Sequence, residues 1–198
     1  MRLTLWTTLA ILALDQALKW AVVVGMDLRN ALQIALWPPY LTLTMAWNRA
    51  AILERLSEEI VRSERSGSVL GVAMADLDHF KAVNDTHGHR CGDEVLRETV
   101  RRIKACLRPY DAVGRYGGEE FLVVMPGCDA AAALGLALRI RDTLAASPIE
   151  TSLGGIPVTI SLGVAAGDGE STLDALVGRA DAALYRAKEK RNRVELVE

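Results

Sequence analysis

Two pairs of carboxylates stand out in the sequence because of what surrounds them. Asp76 and Asp78 end the apolar run SVLGVAMADLD, and Glu119 and Glu120 follow the two glycines of RYGGEEF. Alternate strand residues point to opposite faces, so only one of the two aspartates would face a ligand. Carboxylate oxygens suit Mg²⁺ that bridges to phosphates. Either pair alone is typical of a solvated strand end, whereas the two together indicate a metal-dependent phosphate site.

The elements around these carboxylates must bring them to one place. The run at 68–78 predicts a buried strand, and the extended runs on either side of Gly117-Gly118 predict a hairpin. If that hairpin lies beside the first strand, Asp76 and one of the glutamates converge at one edge. Other patterns predict an amphipathic helix after Asn48, a helix starting near Asp93, a helix at 128–147, a strand at 157–167, a helix at 171–190 and a short final strand. This order predicts an α/β domain with helices on the faces of a sheet.

The longest motifs in the chain carry a family resemblance. DLDHFKAVNDTHGHRCGDEVL at 76–96 and RYGGEEF at 115–121 resemble the GGDEF family of diguanylate cyclases, and the likeness extends from about Leu43 to ALYRAKEKRNRV near the C-terminus. The resemblance implies the GGDEF fold, with a mostly antiparallel central sheet like that of nucleotidyl cyclases and polymerase palm domains, flanked by helices. It also implies that two GTP are condensed into cyclic di-GMP with release of two pyrophosphates. Each subunit of a homodimer would present one GTP to the other.

The same resemblance implies the metal and catalytic residues. Asp76 and Glu119, with Glu120 and the backbone carbonyl of Leu77, would hold two Mg²⁺ ions per GTP, and Mn²⁺ is the alternative ion. Glu119 or a metal-bound hydroxide would assist deprotonation of the ribose 3′-OH before it attacks the α-phosphate. Lys81 would neutralise charge that develops on the phosphates.

The resemblance further implies a set of GTP-binding residues. An amide and a carboxylate can pair with the guanine edge, which suits Asn84 and Asp93. The remaining residues would orient the nucleotide, cradle the triphosphate together with the amides of 79–81, or neutralise phosphate charge: Phe80, His89, Arg115, Gly118, Lys188 and Arg191. The sequence departs from the family at AKEKRN, which lacks the usual glycine before Arg-Asn. The register of Arg191 is therefore less secure than that of Lys188.

An Arg-x-x-Asp element, Arg108 to Asp111, precedes the glycine pair. By itself such an element usually marks a helix end. At this spacing it resembles the family's inhibitory product site, in which the arginine would grip the phosphates and guanine edge of cyclic di-GMP and the aspartate would pair with its base. The resemblance thus implies feedback inhibition.

Composition excludes several classes of protein. The 198-residue chain is 51% apolar with a formal net charge of −2, which argues against a disordered protein or a nucleic-acid partner. The three cysteines are odd in number and form no CxxC motif, so neither a disulfide framework nor a zinc finger is indicated. Three histidines cluster at 79–89, but their spacing fits no common zinc site.

The first 47 residues differ in composition from the rest. All four tryptophans lie there, and the first 48 residues hold only five charged side chains: Arg2, Asp15, Lys19, Asp27 and Arg29. We therefore divide the chain into an apolar segment at 1–47 and a catalytic domain at 48–198. Residues 1–26 are long enough for a membrane helix, yet Asp15 and Lys19 interrupt them, so an amphipathic or core-packed helix is the alternative. A membrane helix would anchor a cytoplasmic catalytic domain to the inner membrane.

A second resemblance covers only this apolar segment. LDQALKW at 14–20 and WPPYLTLTMAWN at 37–48 resemble the start of the lipoprotein signal peptidase family, but the segment stops before that family's two catalytic aspartates. Peptidase activity is not implied, and a natural fusion and a mis-joined reading frame both fit.

For the domain itself, the alternative to a cyclase is a catalytically silent GGDEF module that binds cyclic di-GMP or GTP and signals by contact.

Overall fold

The computed structural model describes residues 44–167 and 172–197, in which helices and strands alternate along the chain. In chain order the elements are α1 (Arg49–Ser66), β1 (Leu70–Leu77), α2 (Phe80–Cys106), β2 (Ala112–Arg115), β3 (Glu120–Pro126), α3 (Ala130–Ala145), β4 (Ile149–Thr151), β5 (Gly154–Ile156), β6 (Ile160–Gly167), α4 (Leu173–Lys190) and β7 (Val194–Val197). The side chains of Asn48, Asp129 and Thr172 accept hydrogen bonds from the first turns of α1, α3 and α4, so these helices begin where a capping residue precedes an apolar pattern.

A five-stranded sheet in the order β2-β3-β1-β6-β7 forms the centre of the domain. β1 pairs antiparallel with both β3 and β6, β2 pairs antiparallel with β3, and β6 and β7 are parallel. This confirms the expected mostly antiparallel sheet and the hairpin beside the first strand. The register sets Asp76 opposite Glu120 on β3 and Ser161 on β6, so the end of β1 lies between these two strands.

Helices cover both faces of the sheet. All eight residues of β1 are buried, since each face carries its own apolar cluster. Ala73 and Ala75 belong to the cluster that contains the apolar residues of α2 and α3. Val72 and Met74 belong to the cluster that contains those of α1 and α4. The domain thus has three layers, as the alternating pattern of strands and helices predicts.

Two elements differ from the expectation. α2 begins at Phe80 rather than near Asp93 and is interrupted at Gly88, whose φ of 80° and ψ of 159° are not helical. The polar, glycine-containing composition before Asp93 obscured this first helical segment. The short strands β4 and β5 form a separate hairpin. Strands of three residues carry too little periodicity to be recognised in the sequence.

The beginning of the chain is described only from Thr44 onward. The expected N-terminal helix, the membrane span at 1–26 and most of the peptidase-like stretch lie outside the described residues. Trp47 forms an isolated bridge with Gly114, because its N–H donates to Val113 and its carbonyl accepts from Arg115. Within 44–167 and 172–197, the helices are all too short or too polar to cross a bilayer.

An ion-pair cluster joins α2 to the end of α3 and predicts a pH-dependent contribution to stability. Glu98 accepts from Arg101 Nε at 2.6 Å and from Arg102 Nε at 3.0 Å, and Arg102 also donates to the carbonyls of Leu144, Ser147 and Pro148. The hydrogen bond from Arg101 is the main cause that lowers the pKa of Glu98 to about 2 from 4.5. The stabilisation is therefore complete above pH 4.5 and is lost as pH falls toward 2.

We expect Glu98→Gln to lower the free energy of unfolding by about 1 kcal/mol near pH 7, since the pair is partly solvated. The gap in Tm between wild type and Glu98→Gln should shrink as pH falls from 4.5 toward 2. Thermal melts at several pH values measure this gap. Glu58→Gln is the matched control, because Glu58 is exposed and its pair with Arg55 is longer, at 3.4 Å. A Glu98→Gln gap that stays constant over this range would rule out the assignment.

Candidate active site

The C-terminal end of β1 places two carboxylates and a lysine together. Asp76 is buried, and its Oδ2 lies 2.7 Å from Nζ of Lys188 on α4. Burial raises the pKa of Asp76, and the hydrogen bond from Lys188 opposes that shift. Burial also raises the pKa of Glu119, and the charge of Asp76 raises it further. The two carboxylates therefore share a partly desolvated pocket in which a cation is favourable.

The hairpin between β2 and β3 holds Glu119 at this edge. Leu77 N–H donates to the carbonyl of Glu119 at 3.3 Å, which ties the glycine turn to the end of β1. A Cβ on Gly117 would overlap the carboxylate of Glu120, whose side chain lies against the turn. Glu120 occupies the face of the sheet on which Asp76 lies, because the two are partners in an antiparallel pair.

Arg115 braces the same hairpin. Its Nε and Nη2 donate to the carbonyl of Gly118 at 3.0 and 2.6 Å. Burial lowers the pKa of Arg115, and the charges of Asp93 and Glu119 oppose that shift. Arg115 is therefore near both the carboxylate edge and α2, while Gly118 itself is exposed at the turn.

The interruption of α2 at Gly88 brings Asn84 close to the second helical segment. A Cβ on Gly92 would overlap Oδ1 of Asn84, so the amide lies directly over this glycine. Asp93 follows Gly92, and both Asn84 and Asp93 are half-buried. The structure thus places the Asn84 amide over the helical turn that carries Asp93. His89 lies one residue beyond the interruption and is exposed.

The N-terminus of α2 lies directly after the carboxylate-bearing end of β1. His79 has a left-handed φ of 58°, and Phe80 starts the helix. The first N–H groups of a helix lack intrahelical partners and attract phosphate. The ring of Phe80 is buried in the core. The side chain of Lys81 is exposed.

Asp78 turns away from the pocket and toward β6. Its carboxylate accepts from Thr159 Oγ1 at 2.7 Å, from Ser161 Oγ at 2.8 Å and from the backbone N–H of Asn192 at 2.9 Å. Because three donors bind its carboxylate, Asp78 holds neighbouring elements together rather than facing the pocket. The sequence analysis missed this anchoring, and the signal for it was the pair of hydroxyls at alternate positions in the otherwise apolar run at 157–167.

The turn after α4 has an uncommon backbone. Arg191 caps the helix with φ 53° and ψ 167°, and Asn192 follows with φ 47°. Positive φ is costly for a residue with a Cβ, and a family glycine normally precedes this Arg-Asn pair. The structure therefore places Arg191 in the backbone conformation that glycine would adopt. Its side chain is exposed.

The Arg-x-x-Asp element forms a closed turn away from the carboxylate pocket. Arg108 Nε and Nη2 donate to the two carboxylate oxygens of Asp111 at 3.1 and 2.9 Å, and this hydrogen bonding to Asp111 raises the pKa of Arg108. The guanidinium lies 4.7 Å from the ring centroid of Tyr110, and Nη2 also contacts Sγ of Cys128 at 2.7 Å. The side chain of Asp111 is fully buried, whereas 36% of that of Arg108 is exposed. An anion could therefore reach the arginine from solvent.

The oxygen ligands present suit a divalent cation bound jointly with phosphate. Among residues 44–167 and 172–197, no three His, Cys, Asp or Glu side chains lie close enough to hold a metal ion. Mg²⁺ is commonly held by one or two carboxylates, with phosphate and water completing its shell. Asp76 and Glu119, with the carbonyl of Leu77 beside them, match that pattern. Burial is the main cause of the raised pKa of both carboxylates, and the charge of Lys188 opposes it, so a bound divalent cation would further favour their ionised forms.

The chain is similar in sequence to known proteins of one family. Over 150 residues, 75% of its length, the chain is 41% identical to the diguanylate cyclase DgcP of Pseudomonas aeruginosa. It is 43% identical over 149 residues to the response regulator PleD of Caulobacter vibrioides. The chain spans only 22% and 33% of the length of these two curated relatives.

A solved structure shares the fold as well. The GGDEF domain of DgcB from Caulobacter crescentus in complex with c-di-GMP matches with a TM-score of 0.74 and 34% identity, covering 78% of this chain and 90% of that one. The family model described as "Diguanylate cyclase, GGDEF domain" matches residues 41–193, so the match begins upstream of the boundary that we drew at residue 48. The chain belongs to the GGDEF domain family.

Proposed function

We propose that the domain is a Mg²⁺-dependent diguanylate cyclase that condenses two GTP into cyclic di-GMP. The observation that carries this proposal is the convergence of Asp76, Glu119 and Lys188 at the end of β1, beside the Gly117-Gly118 turn. The relatives named as diguanylate cyclases support it. The second candidate, a silent module that binds the same nucleotides, requires the same fold but no turnover.

In this proposal Asp76 and Glu119, together with the Leu77 carbonyl and with Glu120 as a further oxygen donor, would hold two Mg²⁺ ions, or Mn²⁺ in their place. Bound divalent ions would neutralise the triphosphate and polarise the α-phosphate. Glu119 would assist removal of the proton from the ribose 3′-OH. That oxygen forms a bond to the α-phosphorus of the second GTP as the bond to pyrophosphate breaks, and the second half-reaction repeats this step.

The other residues would bind and orient GTP. Asn84 and Asp93 present an acceptor and donors to the guanine edge, and their half-buried position would exclude competing water. Lys81, Lys188 and Arg115 would neutralise phosphate charge, with Arg191 from the turn after α4 and His89 as further contacts. The unpaired amides at the start of α2 would cradle the triphosphate.

We also propose that catalysis requires a homodimer, because cyclic di-GMP contains two nucleotides and each domain has one guanine-binding pair. Two half-sites must then face one another for each 3′-OH to reach the other α-phosphate. The rate per protein molecule should therefore rise with protein concentration.

We propose that Arg108 and Asp111 bind the product and thereby inhibit the enzyme, and this predicts the effect of Arg108→Ala. Arg108 supplies the exposed guanidinium, so its loss should raise the cyclic di-GMP concentration for half-inhibition by about tenfold or more, the effect of a lost charged hydrogen bond. Initial rates measured against added cyclic di-GMP give this value. Arg62→Ala on the exposed face of α1 is the control. An Arg108→Ala variant as sensitive as wild type would contradict the inhibitory site.

The function itself is tested by incubating purified protein with GTP and Mg²⁺ and separating the products by chromatography. We expect cyclic di-GMP, formed faster per molecule as protein concentration rises. Nucleotide binding without product at high protein concentration would favour the silent module. If the protein neither binds nucleotide nor forms product, both candidate functions are refuted.

A further inference from the structure

We propose that Asp78 is a positioning residue whose carboxylate holds the turn after α4 so that Lys188 is presented to the catalytic edge. The inference rests on the proposed function, because it concerns how this site is held together. In the part of the chain that the structure describes, the recorded hydrogen bonds of the Asp78 carboxylate go to β6 and to the turn after α4, so we expect its main effect on the reaction to pass through that turn. The charge of Asp78 also raises the pKa of Asp76, as the smallest of several influences on that group.

Asp78 joins three elements of the domain. Its backbone N–H donates to Thr159 O at 2.9 Å, and its carboxylate accepts from the hydroxyls of Thr159 and Ser161. These contacts fix the carboxylate against the start of β6. The third acceptor contact, from Asn192 N–H at 2.9 Å, reaches a different element. Asp78 therefore connects the end of β1, the start of β6 and the turn that follows α4.

The turn after α4 has a strained backbone. Arg191 and Asn192 both have positive φ, and Arg191 combines φ 53° with ψ 167°, a region that residues with a Cβ rarely occupy. Such a conformation persists only where its surroundings impose it. The N–H of Arg191 still bonds to Ala187 O at 3.0 Å, and the next N–H is the one that Asp78 binds. The hydrogen bond from Asn192 N–H to the buried Asp78 carboxylate thus stabilises the strained turn.

The strained turn lies next to Lys188, which reaches the catalytic edge. Lys188 lies in the last turn of α4, between the core residue Ala187 and the strained turn, and its ammonium reaches Asp76. If Asn192 is released, the end of α4 can relax toward an ordinary backbone and Lys188 loses its fixed approach. A lysine that contacts phosphate in both the bound and the reacting state affects KM more than kcat.

The test is a double-mutant cycle between Asp78→Asn and Lys188→Ala, with GTP as the substrate. An asparagine keeps the size of the side chain but cannot supply two acceptor oxygens, so Asp78→Asn should raise KM for GTP about tenfold and change kcat less than about threefold. In the Lys188→Ala background the same substitution should raise KM by less than about twofold, because the residue through which it acts is gone. Additive effects on KM would overturn the proposal.

Two controls separate this role from a loss of charge or of folding. Thr159→Val and Ser161→Ala each remove one donor while the charge of Asp78 remains, and each should raise KM less than Asp78→Asn does. If Asp78→Asn does not fold, Thr159→Val and Ser161→Ala take its place in the KM measurements. Asp129→Asn is the matched carboxylate-to-amide change, because Asp129 also accepts a backbone N–H, at the start of α3, and asparagine caps equally well. It should leave KM unchanged.

A measurement without GTP distinguishes failure of the inference from failure of the proposed function. Amide hydrogen exchange in the nucleotide-free protein should show the Asn192 N–H protected in wild type and Asp129→Asn, and at least about tenfold less protected in Asp78→Asn. If wild type makes no cyclic di-GMP but Asn192 shows this difference in protection, the cyclase proposal fails, whereas the inference that Asp78 holds the turn after α4 is supported. If wild type is active and the Asn192 N–H exchanges as slowly in Asp78→Asn as in wild type, the inference that Asp78 holds this turn is wrong.

Discussion

Glu119→Gln is expected to reduce conversion of GTP to cyclic di-GMP by about 10²- to 10³-fold or more, the cost of losing one electrostatic contact in a reacting site. Glutamine keeps the shape of the side chain but removes the charge that would hold a divalent cation and the oxygen that would accept the 3′-OH proton. Steady-state rates with saturating GTP and Mg²⁺ measure the loss. Retained turnover would contradict the assignment of Glu119.

Stability should move in the opposite direction in the same variant. Burial and the charge of Asp76 raise the pKa of Glu119, so ionising this carboxyl group costs more free energy in the folded protein than in the unfolded chain. A neutral side chain removes that cost, and Tm should be equal to or above that of wild type. Glu58→Gln on α1 is the control and should change neither rate nor Tm appreciably. A large fall in Tm with Glu119→Gln would show that lost activity reflects lost structure.

Among the variants proposed for this domain, Gly163→Ala is expected to lower the free energy of unfolding most. Gly163 lies in β6 opposite Met74 of β1, where α4 crosses the sheet. A Cβ there would overlap the backbone nitrogen of Leu184 and the carbonyl of Ala180, and a backbone cannot yield as a flexible side chain can. We expect a loss of about 3 kcal/mol or more. For a domain of this size that lowers Tm by roughly 6–12 °C.

Gly178→Ala on the same helix is the matched control. A Cβ at Gly178 meets no atom within 4 Å, and alanine is favoured over glycine inside a helix by about 0.5–1 kcal/mol. Tm should therefore rise in Gly178→Ala and fall in Gly163→Ala when both are followed by thermal melts. Equal Tm values for the two variants would contradict the close approach of α4 to β6.

The architecture followed from the sequence where periodicity and turn chemistry were strong. The apolar run before Asp76 is a strand, and the paired glycines at 117 and 118 join two strands that lie beside it. Those two facts were sufficient to bring Asp76 and Glu119 to one edge. The β4–β5 hairpin was missed because three-residue strands offer no period, and the first segment of α2 because its polar residues resemble a turn.

The tertiary contacts in the site were less accessible to sequence reasoning. Lys188 and Asp76 are 112 positions apart, and only the family resemblance placed both in one pocket. The burial of the Phe80 ring depends on how α2 packs against the core, which no local pattern records. The role of Asp78 depends on a backbone N–H, which every non-proline residue has and which therefore leaves no trace in composition.

The missing glycine before Arg191-Asn192 was visible in the sequence, but its consequence was not. The chain closes the shortened turn by placing both residues at positive φ. Met45 shows the same behaviour, with φ 63° on an exposed side chain, and its carbonyl accepts from Lys104 Nζ at 2.6 Å. In both places a hydrogen bond from elsewhere in the domain stabilises a backbone that the local sequence does not favour.

The most direct test of the central claim counts both products of the reaction. Wild-type protein supplied with GTP and Mg²⁺ should release two pyrophosphates for each cyclic di-GMP formed, and removal of the divalent ion by a chelator should stop both. The same measurement on Glu119→Gln should give neither product above background. Wild-type protein that binds GTP at high concentration yet releases no pyrophosphate and forms no cyclic di-GMP would contradict the account.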